Sequence, residues 1–156
     1  MDQTAKILVV DDDENIREVL AAILEDEGYI VTAVETAKKG IEKSETDFFN
    51  LALLDVRLPD MEGIELLAKL KETKPKMRKI IITGYPTLQN AVGAVNKGAD
   101  AYVMKPFDVE KMLITIKDQL KKQDEERRFS EQKVAEFIET RVKELETIEQ
   151  QVTRKP

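Results

Sequence analysis

Ile7-Leu8-Val9-Val10-Asp11-Asp12-Asp13 decides the reading of this chain: four apolar residues run straight into three acids. A second run, Leu51-Ala52-Leu53-Leu54, ends the same way at Asp55. Continuous apolar runs of this length read as parallel strands buried on both faces, and ligands of open α/β sheets collect beyond the carboxyl ends of such strands. Carboxylates crowded there repel one another unless a cation joins them. A hard divalent ion is implied, because Mg²⁺ commonly uses one or two carboxylates together with phosphate oxygens and water. The strand ends therefore point to an acidic pocket that handles phosphate.

Working outward, further strand-like runs stand at Tyr29 to Val34, Ile80 to Thr83 and Ala101 to Met104, and segments of helical period separate all five. Such alternation argues for βαβ units and a parallel sheet covered by helices. The first helix carries Ile16, Val19, Leu20, Ile23 and Leu24 at core-facing spacing and stops at Gly28. A short, weakly amphipathic second helix is expected near Thr36 to Ser44. The third, from Gly63 to Thr73, turns Ile64, Leu67 and Leu70 inward and ends before Pro75. The fourth, from Thr87 to Lys97, has a thin apolar side of Ala91, Val92 and Val95 with Gly93 inside it, which marks it as the least stably packed of the set. The fifth begins after Pro106 with Asp108 as N-cap, and its Met112, Leu113, Ile116 and Leu120 face the core.

Neither Gly nor Pro interrupts the chain between Phe107 and Pro156, so the fifth helix is expected to run on, to roughly 65 Å at ~1.5 Å per residue if it reaches Gln150. Val134, Ile138, Arg141, Leu145, Ile148 and Val152 follow one another at alternating spacings of four and three. That is a heptad seam with one polar position, and Asp124 with Arg128 and Glu139 with Lys143 support the helix as i,i+4 pairs. Two readings are open: a helix that packs back on its own domain or frays, and a parallel signalling coiled coil that makes a homodimer. The sequence divides into a domain over 1–120 and a charged helical extension over 121–156.

Composition narrows the function. The 156 residues carry a net charge of −6, all of it before residue 121, since the extension holds nine basic and nine acidic residues. No basic patch is on offer to a phosphate backbone, so nucleic-acid binding by this chain is not expected. Histidine and cysteine are both absent, which removes the usual general base, the usual transition-metal ligands and thiolate chemistry. Without an apolar stretch near the ~18 residues of a span, and without a basic-then-apolar leader, no membrane association is expected and the cytoplasm is the expected location.

Five local motifs fall at the ends of successive strands: Val9-Val10-Asp11-Asp12-Asp13, Leu53-Leu54-Asp55, Pro59-Asp60 with Gly63, Ile82-Thr83-Gly84, and Lys105-Pro106-Phe107. Together they resemble the receiver domain of two-component response regulators, over residues 5 to 120. The resemblance implies an α/β, doubly wound (βα)₅ flavodoxin-like sheet in strand order 2-1-3-4-5. By position it implies that Asp55 accepts a phosphoryl group, that Asp11 and Asp12 hold Mg²⁺, Asp12 directly and Asp11 through water, and that the main-chain carbonyl of Arg57 is a further metal ligand. Lys105 would contact the phosphoryl group, following a cis Lys-Pro bond. Thr83 would hydrogen-bond a phosphoryl oxygen, and Tyr102 would be the aromatic switch coupled to it. Asp13 falls outside the acidic pair and is expected to cap the first helix.

A separate histidine kinase or phosphotransfer protein is the implied donor, necessarily external because this chain has no histidine. The face built from helix four, strand five and helix five would change with phosphorylation. It lacks the paired basic residues of regulators that dimerise there, over Asn96-Lys97-Gly98-Ala99-Asp100-Ala101-Tyr102, so dimerisation by the carboxyl-terminal helix is preferred. Arg57 and Tyr85, each two residues beyond a pocket residue, would flank the path of a hydrolytic water and prolong the phosphorylated state. No DNA-reading module, nucleotide-binding loop, cyclase or methylesterase signature follows, so the output is expected in a partner, in the helix, or in protein outside this chain. The chemistry expected is self-phosphorylation and dephosphorylation within a signalling module, not turnover as an enzyme. The alternatives are a phosphohydrolase of the haloacid-dehalogenase type, which would need a second aspartate where Arg57 stands, and a dimerisation module that is not phosphorylated.

Overall fold

The computed structural model describes residues 4–84 and 88–153. Five strands, β1 (Lys6–Val10), β2 (Ile30–Val34), β3 (Leu51–Asp55), β4 (Arg78–Thr83) and β5 (Ala101–Met104), alternate with α1 (Glu14–Asp26), α2 (Ala37–Thr46), α3 (Gly63–Lys69), α4 (Leu88–Asn96) and α5 (Val109–Thr153). All strand pairs are parallel and the sheet order is β2-β1-β3-β4-β5. The order reverses between β1 and β3. A crevice opens there at the carboxyl ends, where β1 runs into Asp11 and β3 ends at Asp55.

Alternate side chains of each strand enter opposite layers, as the pleat requires. Leu8, Val10, Ala52, Leu54 and Ile81 pack with Ile64, Leu66 and Leu67 of α3 and Ala94 of α4. Ile7, Val9, Leu51, Leu53, Ile80 and Ile82 pack on the other face with Leu20 and Leu24 of α1 and Met112 and Ile116 of α5. The central strands are thus apolar on both sides, which is why they read as continuous runs rather than alternating ones.

Three details depart from the sequence reading. Helix α3 ends at Lys69, one turn short of Thr73. Leu70 turns extended at ψ 143° yet stays buried, and the Lys79 ammonium donates to the Leu67 carbonyl at 2.7 Å, supplying a partner to the helix end. In α4 the expected apolar side is turned out: Val92 and Val95 are 50% and 68% exposed, while Ala94 is fully buried. Size explains the inversion, because a Cβ on Gly93 would already lie 3.7 Å from Ile64 Cδ1, so the helix presents its small residues inward. Val19 of α1, expected in the core, is 49% exposed.

The caps agree with expectation: Asp13 Oδ1 accepts from the Ile16 N–H at 3.1 Å, and Asp108 Oδ1 from the Lys111 N–H at 3.2 Å. The expected start of α4 at Thr87 lies outside the described residues.

The chain divides into two units, one ending at Gln123 and the other starting at Asp124. In the first, Gln119 and Gln123 of α5 are both buried, and Gln123 extends the packed part past Leu120. In the second, α5 is an exposed helix laced by ion pairs such as Arg128–Asp124 (2.9 Å) and Lys143–Glu139 (3.2 Å). No helix among the described residues is long and apolar enough to cross a membrane.

Candidate functional site

The two strand ends bring together Asp11, Asp12 and Asp55, with one carboxylate oxygen from each lying within 4.8 Å of the others. Asp11 and Asp55 are buried and Asp12 is exposed. Asp11 is fixed on both oxygens: Oδ1 accepts from the Asp13 N–H at 2.9 Å, and Oδ2 from the Lys105 ammonium at 2.8 Å. Its carbonyl accepts from Arg17 Nη1 at 2.9 Å. Lys105 reaches Asp55 Oδ1 less closely, at 3.7 Å.

This crowding has a titration consequence. Burial, reinforced by the Asp11 charge, pushes the Asp55 carboxyl up to about 6, although Lys105 and a hydrogen bond from the Arg57 backbone N–H oppose the rise. One ammonium does not balance three carboxylates. The donor set is all hard oxygen, with no nitrogen or sulfur ligand, and it fits an Mg²⁺-class cation.

The remaining sequence candidates surround this cluster. Thr83 ends β4, fully buried, and its carbonyl accepts from the Lys105 N–H at 2.7 Å, so the ends of β4 and β5 are tied beside the acids. The Lys105–Pro106 bond is cis, as the resemblance implied. Tyr102 pairs in register with Ile81 and packs on the layer that contains Ala94; its hydroxyl is buried with no hydrogen-bond partner among the described residues. The Arg57 side chain is exposed. Tyr85 lies outside the described residues.

Two residues have roles that no local pattern announced. Asp60 accepts from the N–H groups of Ala37 (3.0 Å) and Lys38 (2.9 Å), so the loop leaving β3 caps α2, and these bonds hold its carboxyl below the usual range. Gly63 donates to the Val56 carbonyl at 2.7 Å, and a Cβ there would lie 2.0 Å from the Asp55 carbonyl oxygen. Only glycine lets α3 start so close to the acidic strand end. The motif contained both residues, but their contacts lie too far along the chain to be inferred from it.

The profile of the response regulator receiver domain matches residues 7–117. The chain belongs to that family. A solved receiver domain protein (CheY-like) from Methanospirillum hungatei JF-1 is 49% identical, with a TM-score of 0.76 over 80% of this chain and 99% of that one. The beryllofluoride-activated NtrC4 receiver domain dimer is 40% identical, with a TM-score of 0.71 over 76% of this chain and 98% of that one. The uncharacterized transcriptional regulatory protein YkoG of Bacillus subtilis (strain 168) is 36% identical over 74% of this chain. The chain spans 50% of YkoG and 26% of the transcriptional regulatory protein ZraR of Klebsiella oxytoca, so it corresponds to about a quarter to a half of such relatives. Response regulators work with histidine kinases, and the family match gives no support to the phosphohydrolase or the unphosphorylated module.

Proposed function

We propose that Asp55 accepts a phosphoryl group from the phosphohistidine of a separate kinase or phosphotransfer protein. A carboxylate oxygen of Asp55 attacks phosphorus, the P–N bond of the donor breaks, and the imidazole leaves with the electron pair. Mg²⁺, held by Asp12, Asp55 and the Arg57 carbonyl, with Asp11 acting through water, would neutralise the charge that collects on the phosphoryl oxygens. Lys105 supplies a fixed positive charge beside the same oxygens, already oriented by Asp11. The observation that carries this reading is the buried Asp55 carboxylate facing Asp11, Asp12 and Lys105 at the crevice of the sheet.

Thr83 would hydrogen-bond one phosphoryl oxygen, drawing the β4 end toward the site. Tyr102 would respond, since a buried hydroxyl without a partner is costly and favours any rearrangement that gives it one. The activation of the NtrC4 receiver domain by beryllofluoride, an anion of phosphoryl-like shape, supports the same site logic for this chain.

The test is mass spectrometry after incubation with Mg²⁺ and acetyl phosphate. The wild type should gain a single phosphoryl mass that is lost in base, and Asp55→Asn should gain none. Equal labelling of the variant would place the acceptor elsewhere.

A further inference from the structure

Within the second unit, Val134, Phe137, Ile138, Val142, Leu145, Ile148 and Val152 are each 47–70% exposed. At about 100° per residue they share one stripe about 140° wide, narrower than a scatter round the helix would be, with Arg141 the basic residue within it. Upstream, the same alternating spacing passes through Glu131, Arg127 and Asp124. Those seam positions are charged and satisfied within the helix, Arg127 to Asp124 at 2.7 Å and Arg127 to Glu131 at 2.9 Å. An apolar contact along this line therefore starts at Val134.

We propose that residues 134–152 pair with the same residues of a second copy of this chain, as an antiparallel coiled coil. The stripe is self-complementary, and its charges choose the direction. With Ile138, Leu145 and Val152 at the first apolar position of the heptad and Val134, Arg141 and Ile148 at the second, a parallel pair in register sets Arg141 against Arg141 of the second copy. It also sets Glu144 against Glu149 of the second copy, twice. All of these are like-charge contacts.

The antiparallel pair sets Ile138 against Ile148, Val134 against Val152, and Arg141 against Leu145 of the second copy. Val142 meets its own counterpart at the two-fold axis. Each Arg141 then stands beside Glu144 of the second copy as well as its own Glu144, which it already contacts at 3.1 Å. The central charges cancel, and the one like-charge contact, between the two Glu144 side chains, is flanked by both guanidinium groups. Charge therefore favours antiparallel pairing over the parallel arrangement that the spacing alone suggested.

The absence of cysteine makes the test clean. Ile138→Cys and Ile148→Cys versions of the full chain, one of them isotope-labelled, are mixed without phosphodonor, oxidised, and the cross-links identified by mass. The 138–148 link should exceed the 138–138 and 148–148 links about tenfold, since only paired positions bring Cβ atoms within disulfide reach. Sedimentation of the wild type at about 50 μM should show a dimer, and Ile148→Glu, which sets a carboxylate against Ile138 of the second copy, should return it to monomer. A wild-type monomer, a dimer indifferent to Ile148→Glu, or a preference for the like-with-like links would each overturn the proposal.

Discussion

A Cβ placed on Gly63 falls 2.0 Å from the carbonyl oxygen of Asp55, so the start of α3 and the end of β3 touch backbone to backbone. The contact holds the loop from Val56 to Glu62 in the shape that presents the Asp55 carboxylate and the Arg57 N–H. Gly63→Ala must push these segments apart. A loss of about 2 to 3 kcal/mol in unfolding free energy is expected by denaturant titration, together with weaker phosphorylation although no charged group has changed. Wild-type stability in this variant would mean that the loop yields without cost.

The raised Asp55 carboxyl sets a pH dependence. Its value of about 6 in the folded chain lies above the ordinary 3.8, so the folded state binds the extra proton between those values. The stabilisation is full below about 4 and is lost as pH rises through about 6. A divalent cation offsets the loss by taking the place of the proton. The rise in melting temperature on adding Mg²⁺ should therefore be larger at pH 7.5 than at pH 5, by the equivalent of about 1 kcal/mol once solvent screening is allowed for, and nearly flat in Asp55→Asn. Calorimetry at the two pH values decides it.

Asp12 and Asp13 are neighbours with separate tasks. Asp13 caps α1 through the Ile16 N–H, whereas Asp12 belongs to the acidic cluster. Asp13→Ala should cost about 1 kcal/mol of stability and leave Mg²⁺ affinity nearly unchanged. Asp12→Ala should weaken Mg²⁺ binding by about tenfold or more with little effect on stability in the absence of the ion. Calorimetric titration of both variants with Mg²⁺ gives the comparison, and equal affinities would remove Asp12 from the metal site.

What was legible in the sequence was local. Asp11, Asp55, Thr83 and Lys105 each end an apolar run or flank one, so their places at the carboxyl edge follow from strand geometry alone. The layers of the core were legible too, because the buried runs are nearly all Ile, Leu and Val. The inward side of α4 was not: hydrophobicity ranks Val92 and Val95 above Gly93 and Ala94, but packing distance against Ile64 selects the smaller pair. Asp60 and Lys79 each satisfy backbone groups of an element distant in sequence, a role the sequence reading assigned to neither. No pattern within a window reports a partner twelve or more residues away.

The packed part of α5 reaches past Leu120 through contacts of the same long-range kind. Leu120 is the last apolar residue of the core-facing series, which set the sequence boundary there, yet the helix remains tied to the sheet for three more residues. Gln123 is 4% exposed; its Nε2 lies 2.8 Å from both the Asn50 and the Lys76 carbonyl, and its Oε1 accepts from Asn50 Nδ2 at 3.1 Å. The Asn50 Oδ1 in turn accepts from the Lys6 N–H at 2.9 Å, so one glutamine completes a network across the starts of β1, β3 and β4. Removing it takes a partner from the Lys76 carbonyl and the Asn50 side-chain amide, at about 1 kcal/mol for each part-buried bond lost, while the Asn50 carbonyl keeps its bond from the Arg78 N–H. A chain ending at Leu120 should therefore melt about 5 °C or more below one ending at Glu126, and Gln123→Ala in the full chain should reproduce most of that loss. Equal melting temperatures for the two truncations would show that water replaces the glutamine at no cost.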